Sequence, residues 1–216
     1  MSAVNDALSP TEPATAETDL RSGGTVLPIT RWGTPVMHAQ AKPVTRFDDD
    51  LRNLCRDMFA TMYAAEGVGL AATQVGRDLA LFVFDCPDDD QVRHVGVVCN
   101  PTVTLPEGKD RKLDTADEGC LSLPGAYAEL ARPDTATCRG QDAYGNPVQI
   151  EGSGLLSRCL QHETDHLNGT VFGDRLAGRA RKQLYAKHAE LAELYPADWP
   201  VGARRGPAGE EHPPTE

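Results

Sequence analysis

The sequence lacks several features that would place it in a common class of protein. No apolar run approaches the roughly 20 residues that a membrane-spanning helix needs. Residues 1–24 are rich in Ser, Thr, Ala, Pro and acidic side chains, but they have neither the basic start nor the apolar centre of a secretory signal. The sequence therefore predicts a cytoplasmic protein that has no membrane partner.

Basic residues are also in short supply, since 21 Lys and Arg stand against 32 Asp and Glu and give a formal net charge of −11. Contacts to phosphates need clustered Lys and Arg, so we expect no direct nucleic-acid-binding surface. A local basic excess near the carboxyl terminus consists of Arg175, Arg179, Arg181, Lys182, Lys187, Arg204 and Arg205. Such a run is usually a solvated helix face, and we expect that here.

The six cysteines show no close-paired spacing: Cys55, Cys86, Cys99, Cys120, Cys138 and Cys159. In a reducing compartment they are expected to be free thiols, most of them small buried apolar residues. Cys120 is the exception, because it lies in an unusual stretch, Glu-Gly-Cys-Leu-Ser at 118–122.

Apolar periodicity predicts an α+β fold in which mixed or antiparallel strands pack around a central helix, with an additional C-terminal helix. Asp48 to Asp50 are expected to cap and charge a first helix that ends near Ala65. A second helix is predicted to start near Gly154, and a last helix is predicted to span 180–194. β-Branched and aromatic runs predict four strands, at 79–84, 95–99, 135–139 and 148–151.

All of these elements fit one domain, because 216 residues suffice for a single well-packed core. We expect a disordered N-terminal extension at 1–24, a catalytic domain at 25–196 and a flexible C-terminal tail at 197–216. The last helix is expected to turn Leu184, Leu191 and Leu194 inward.

The most informative segment is Gln-His-Glu-Thr-Asp-His at 161–166. His162 and His166 are four residues apart, so on a helix they share one face and can bind one metal ion. Glu163 is rotated by roughly 100° from the first histidine, which suits a proton acceptor beside the ion. The alternative is a pair of surface histidines, but the apolar residues around them predict a buried helix whose polar groups need partners.

Two further segments have the composition of a site. The Cys120 thiolate would complete a set of two nitrogens and one sulfur, whereas a buried core cysteine is the alternative. The segment Gly67–Gly76 lacks the glycine and lysine pattern of a phosphate loop. Its small residues instead suit a close approach of substrate, with Gln74 as an amide donor to developing negative charge. Taken alone, Gln74 is more often an exposed polar residue.

Together the segments Gly67–Gln74, Glu118–Ser122 and Gln161–His166 closely resemble the three signature motifs of the peptide deformylase family, in that family's order and at roughly its spacing. Gly33–Val36 resembles a segment near the start of family members, and the resemblance runs from about residue 27 to residue 176. It implies a bacterial-type enzyme that removes the formyl group from N-formylmethionyl nascent peptides and releases formate. Since nascent chains emerge at the ribosome, this implied function also predicts a weak ribosome contact through the basic C-terminal segment.

Motif by motif, the resemblance implies metal ligands at Cys120, His162 and His166. It also implies Fe²⁺ as the ion, with Zn²⁺, Ni²⁺ or Co²⁺ as possible substitutes.

The resemblance further implies Glu163 as general base and acid, with the Gln74 side chain and the Leu121 backbone N–H as oxyanion donors. Residues expected to line the methionine pocket and the substrate backbone are Val68, Gly69, Leu155 and Cys159. Tyr127 stands at about the place where the family often has an arginine that reaches toward substrate, so we include it among the substrate-binding candidates. Arg158, where some members have an aliphatic residue, is expected to extend outward.

Two other functions use the same helix. A zinc endopeptidase would need a downstream glutamate or histidine as third ligand, and none closely follows His166. A non-catalytic metal-binding or scaffold protein would keep the ion without needing Glu163 as a proton carrier.

Overall fold

The structure, a computed structural model, describes residues 20–201. The predictions for residues 1–19 and 202–216 lie outside the described residues, and the domain boundaries stay a prediction. The described part of each predicted tail packs on the domain. Leu20 is only 1% exposed within the core, and the Trp199 backbone oxygen accepts a hydrogen bond from Ile29 N at 2.9 Å.

Seven strands form two antiparallel sheets in the described residues. The strands are β1 (Gly69–Ala71), β2 (Leu81–Pro87), β3 (Arg93–Thr104), β4 (Leu113–Gly119), β5 (Tyr127–Pro133), β6 (Thr135–Gln141) and β7 (Pro147–Ser153). A five-stranded sheet has the order β1-β2-β3-β6-β7, and β4 and β5 form a separate hairpin. The four predicted strands are present and each is longer than predicted, although β2 starts two residues later, and a turn before Pro147 joins β6 to β7.

The α-helices of the described residues are α1 (Asp49–Ala64), α2 (Gly154–Leu167) and α3 (Gly178–Leu191). Helix α2 packs against the five-stranded sheet and also contacts β5, so the predicted α+β layout with a central helix is confirmed. Between residues 20 and 201 no helix is both long and apolar enough to cross a bilayer.

The first helix forms as predicted, because the Asp48 carboxylate accepts a hydrogen bond from Leu51 N at 3.2 Å and caps its start. The last helix departs from the prediction. It ends at Leu191, and a 3-10 turn over Ala192–Leu194 follows. Leu184 is buried, but Leu194 is 71% exposed, because the change of helical period turns its side chain toward solvent.

Sequence patterns did not predict β1, β4 and β5. Strand β4 reads Leu-Asp-Thr-Ala-Asp-Glu-Gly and is mostly exposed, because a two-stranded hairpin leaves much of its surface to solvent and needs no apolar run. This hairpin is nevertheless important for the site, because Cys120 follows directly after its first strand.

Candidate metal centre

Two elements bring the three predicted metal ligands together. Helix α2 presents His162 and His166 one turn apart, and the end of β4 places Cys120 against them. The Cys120 Sγ lies 3.3 Å from His166 Nε2, and the two histidine Nε2 atoms are 3.1 Å apart. All three residues are buried, and their ligating atoms lie within 4.8 Å of one another.

Hydrogen bonding and charge fit this set to a divalent cation. His162 Nδ1 bonds to Glu118 Oε1 at 2.7 Å, which leaves Nε2 for an ion. Burial disfavours a charged ring, but the Cys120 sulfur and the Glu118 carboxylate outweigh it and raise the pKa of His162 well above its usual value. The surroundings of the His162 ring therefore favour positive charge. Burial and then His162 lower the pKa of His166, so its ring stays neutral, as a ligand must be.

Glu163 lies beside this set rather than in it. It is buried, and burial raises the pKa of its carboxyl to about 7. Within residues 20–201 its Oε2 has no hydrogen-bond partner. A Cβ at Gly69 would stand only 2.5 Å from Glu163 Oε1, so the glycine is needed for β1 to pass this close to the carboxylate.

The Gln74 side chain points at the sulfur. Its Oε1 accepts a hydrogen bond from Ala71 N at 2.8 Å, and its Nε2 donates to Ser122 Oγ at 3.3 Å and lies 3.6 Å from Cys120 Sγ. Because Gln74 is 1% exposed, the default interpretation of an exposed polar residue is wrong. Its amide is held with the donor end toward the candidate ligands.

Four of the predicted substrate-binding residues lie on or next to β1 and on α2, and Gly69 approaches both Glu163 and Cys159. The Cys159 Sγ lies 3.6 Å from the Val68 carbonyl oxygen, and a Cβ at Gly69 would be 2.8 Å from that sulfur. Leu155 lies one helical turn before Cys159, and its side chain, like that of Val68, is exposed. These residues form an apolar border where β1 meets α2.

Leu121 and Tyr127 lie on the Cys120 side of the site. A Cβ at Gly67 would be 2.7 Å from Leu121 Cδ1, so Leu121 faces the segment that leads into β1. Tyr127 is the first residue of β5 and pairs with Gly119, where an added Cβ would meet its ring at 2.4 Å. Tyr127 is 68% exposed, so an aromatic surface lies beside the Cys120 segment.

A buried ionic network behind the ligands was not predicted. Arg132 donates to both oxygens of Glu118 at 2.6 and 2.7 Å and to Asp165 Oδ2 at 3.0 Å. Burial opposes ionisation of Glu118, but hydrogen bonds from Arg132 and His162 outweigh it and hold its pKa well below the usual value. Arg175 also donates to Asp165, at 2.5 Å. Glu118 and Asp165 lie within two residues of candidate ligands in the sequence, so the sequence offered a clue to them. No local sequence pattern marks Arg132.

The prediction for Arg158 was wrong. Its side chain does not extend outward but is buried and donates to Glu118 Oε2 at 3.0 Å and to Asp114 Oδ2 at 2.9 Å. A buried guanidinium needs anionic partners, and β4 supplies both of them.

Comparison with known proteins agrees with this geometry. The polypeptide deformylase family matches residues 26–182. The chain is 54% identical over 181 residues to peptide deformylase 1 of Streptomyces avermitilis, and this alignment covers 83% of each chain. A crystal structure of a peptide deformylase from Legionella pneumophila aligns with a TM-score of 0.70 at 38% identity, covering 79% of this chain and 97% of that one. One from Synechococcus elongatus, in complex with actinonin, gives 0.67 at 40% identity, covering 76% and 88%. This chain belongs to the polypeptide deformylase family.

Proposed function

We propose that this protein is a metal-dependent hydrolase that removes the formyl group from the N-terminal formylmethionine of newly synthesised polypeptides and releases formate. Family membership supports the reaction. The observation that carries the proposal is the convergence of one thiol and two imidazoles beside a buried, unpaired glutamate oxygen. Cutting an amide bond needs an electrophilic centre and a proton carrier, and this arrangement offers both.

Cys120, His162 and His166 would hold the ion. A divalent cation at this place supplies Lewis acidity, which makes water more acidic and a carbonyl carbon more electrophilic. We propose Fe²⁺ as the ion, with Zn²⁺, Ni²⁺ or Co²⁺ as substitutes. A mixed nitrogen and sulfur set binds several first-row ions, so cellular availability contributes to the choice.

Glu163 is the proposed proton carrier. It takes a proton from the attacking water and returns it to the amine that leaves, and a buried carboxyl is suited to both steps because neither protonation state is strongly preferred near neutral pH. The Gln74 amide and the Leu121 backbone N–H stabilise the negative charge that develops on the formyl oxygen. Hydrogen bonds to Ala71 and Ser122 hold the Gln74 amide in place before substrate arrives.

The methionine side chain is proposed to lie on the apolar border where β1 meets α2. Leu155 and Val68 supply exposed apolar surface, Cys159 a small polarisable one, and Gly69 leaves room for the substrate backbone. Tyr127 is proposed to contact the residues that follow methionine, because its exposed ring lies on the opposite side near Cys120.

A peptide assay separates this function from a zinc endopeptidase, which the sulfur third donor and the family do not favour. We expect formate release from an N-formylmethionyl tripeptide, with every peptide bond of the product intact. The same tripeptide without the formyl group is the control and should remain unchanged. Cleavage of internal bonds in the control, without formate from the formylated peptide, would contradict the proposal.

We also propose a weak ribosome contact in the cytoplasm, through the basic side of α3. Arg179, Lys182 and Lys187 are exposed there, while Leu184 faces the core. Replacing these three basic residues by glutamine should reduce co-sedimentation with ribosomes at low salt without changing turnover of a short formylated peptide. Equal co-sedimentation of the variant and the wild type would rule this contact out.

A further inference from the structure

The Arg158 side chain joins helix α2 to both strands of the β4–β5 hairpin. Its Nη1 donates to the Leu130 carbonyl oxygen at 2.9 Å and to Glu118 Oε2 at 3.0 Å. Its Nη2 donates to the Asp114 carbonyl oxygen at 3.1 Å and to Asp114 Oδ2 at 2.9 Å. All four acceptors lie in the hairpin, whereas Arg158 lies on the helix that carries the histidines. One 7% exposed guanidinium therefore ties the element that leads to Cys120 to the element that presents its partner ligands.

Arg158 also completes the set of donors around Glu118. Oε1 accepts from Arg132 Nη2 at 2.6 Å and from His162 Nδ1 at 2.7 Å. Oε2 accepts from Arg132 Nε at 2.7 Å and from Arg158 Nη1 at 3.0 Å. A carboxylate offers about four lone-pair sites, and four donors use them here. The carboxylate cannot rotate without breaking one of these bonds, so it fixes the plane of the His162 ring.

The charges of the buried network balance only when Arg158 is included. Glu118 and Asp165 are two buried carboxylates, and Arg132 and Arg158 are two buried guanidiniums. Arg175 also pairs with Asp165, but its side chain is 47% exposed. Loss of the Arg158 charge would leave a carboxylate excess next to His162, which is the costly way to break a buried ion pair.

We propose that Arg158 is a positioning residue for the metal centre. It fixes the Cys120-bearing hairpin against α2, and it holds Glu118 in the orientation that aims His162 Nε2 toward Cys120 and His166. This inference rests on the metal site of the proposed function. It assigns to Arg158 a role in ligand geometry rather than in contact with substrate.

The test measures Co²⁺ binding, because cobalt reports the ligand geometry through its visible absorption. Three variants are compared with the wild type: R158M, which keeps the length but removes the charge; R158K, which keeps the charge but not the planar fork; and R139M as the control. Arg139 lies exposed on β6 and bonds to Gln149, so R139M removes an equal charge away from the site. Co²⁺ dissociation constants are measured by chelator competition, with kcat and KM on the formylated tripeptide.

We expect R158M to raise the Co²⁺ dissociation constant by about 10- to 100-fold, the usual effect of losing an outer partner of a metal ligand. The absorption spectrum should change, and kcat should fall more than KM rises. R158K should recover part of the affinity, because a lysine can reach Glu118 but cannot also bond Leu130 and Asp114. R139M should match the wild type.

A folded R158M with wild-type Co²⁺ affinity and spectrum would overturn the proposal, as would a rise in KM alone, which would make Arg158 a substrate contact. If R158M does not fold, R158K and D114N decide, since both keep a charged residue at 158. Wild-type Co²⁺ binding in both of them would overturn the proposal. Failure of the proposed function would instead appear as a wild-type protein that binds Co²⁺ but releases no formate.

Discussion

Glu163→Gln should keep the metal and lose about 100- to 10,000-fold in kcat, the range that a positioned proton carrier contributes. The amide has nearly the same shape as the carboxylate but cannot accept and return a proton. Since Glu163 Oε2 has no hydrogen-bond partner within residues 20–201, the substitution breaks no observed bond of that oxygen. Formate release under saturating formylated peptide and the metal content of the same sample are the two measurements.

Glu193→Gln is the matched control, because Glu193 lies exposed in the 3-10 turn after α3. This substitution removes the same charge away from the site. It should turn over peptide at the wild-type rate. A Glu163→Gln protein with wild-type kcat would remove Glu163 from the mechanism, whereas a loss of metal would show that the carboxylate supports the ligands.

Cys120→Ser should abolish metal retention and activity together. Serine is close to cysteine in shape, so it can keep the contact with Gln74, but a neutral hydroxyl is a far weaker ligand than a thiolate. Elemental analysis of anaerobically purified protein should find about one iron per wild-type chain and almost none in the variant.

Exposure to air should inactivate the iron-loaded wild type, because both the sulfur and the ion are open to oxidation.

Cys138→Ala controls for the loss of a buried thiol. Cys138 lies on β6 in the core, and burial raises the pKa of its thiol to about 12, so it is not a reactive sulfur. This variant should retain full metal content and wild-type turnover per folded molecule. Full iron content and activity in Cys120→Ser would show that the sulfur is not a ligand.

Local patterns predicted the elements with extensive core contacts. Helix α1 could be recognised because it buries one face, which imposes a helical period on its apolar residues. Strands β2 and β3 could be recognised because both of their faces are buried in part, which gives continuous apolar runs. Strands β4 and β5 follow no such rule, since their hairpin is largely exposed. The prediction that Leu194 faces inward was wrong for a related reason, because its exposure depends on where α3 changes to a 3-10 turn.

The sequence by itself determined the chemistry of the candidate ligands. His162 and His166 share a face because of helical geometry alone, and Glu163 stands beside them for the same reason. The motif around Cys120 predicted the third donor, because its pairing with the histidine motif closely resembles one family. Short-range spacing carries this information, since it depends on few residues and no long contacts.

Only the tertiary structure decided what surrounds those candidate ligands. Arg132 and Arg158 meet at Glu118 because the β4–β5 hairpin packs against α2, and the burial of that contact excludes water and makes ionic partners necessary. The Gln74 amide faces inward for a similar reason, because it finds hydrogen-bond partners there in Ala71 and Ser122. Partners that are distant in sequence leave no periodic signal, so their roles follow from packing and not from pattern.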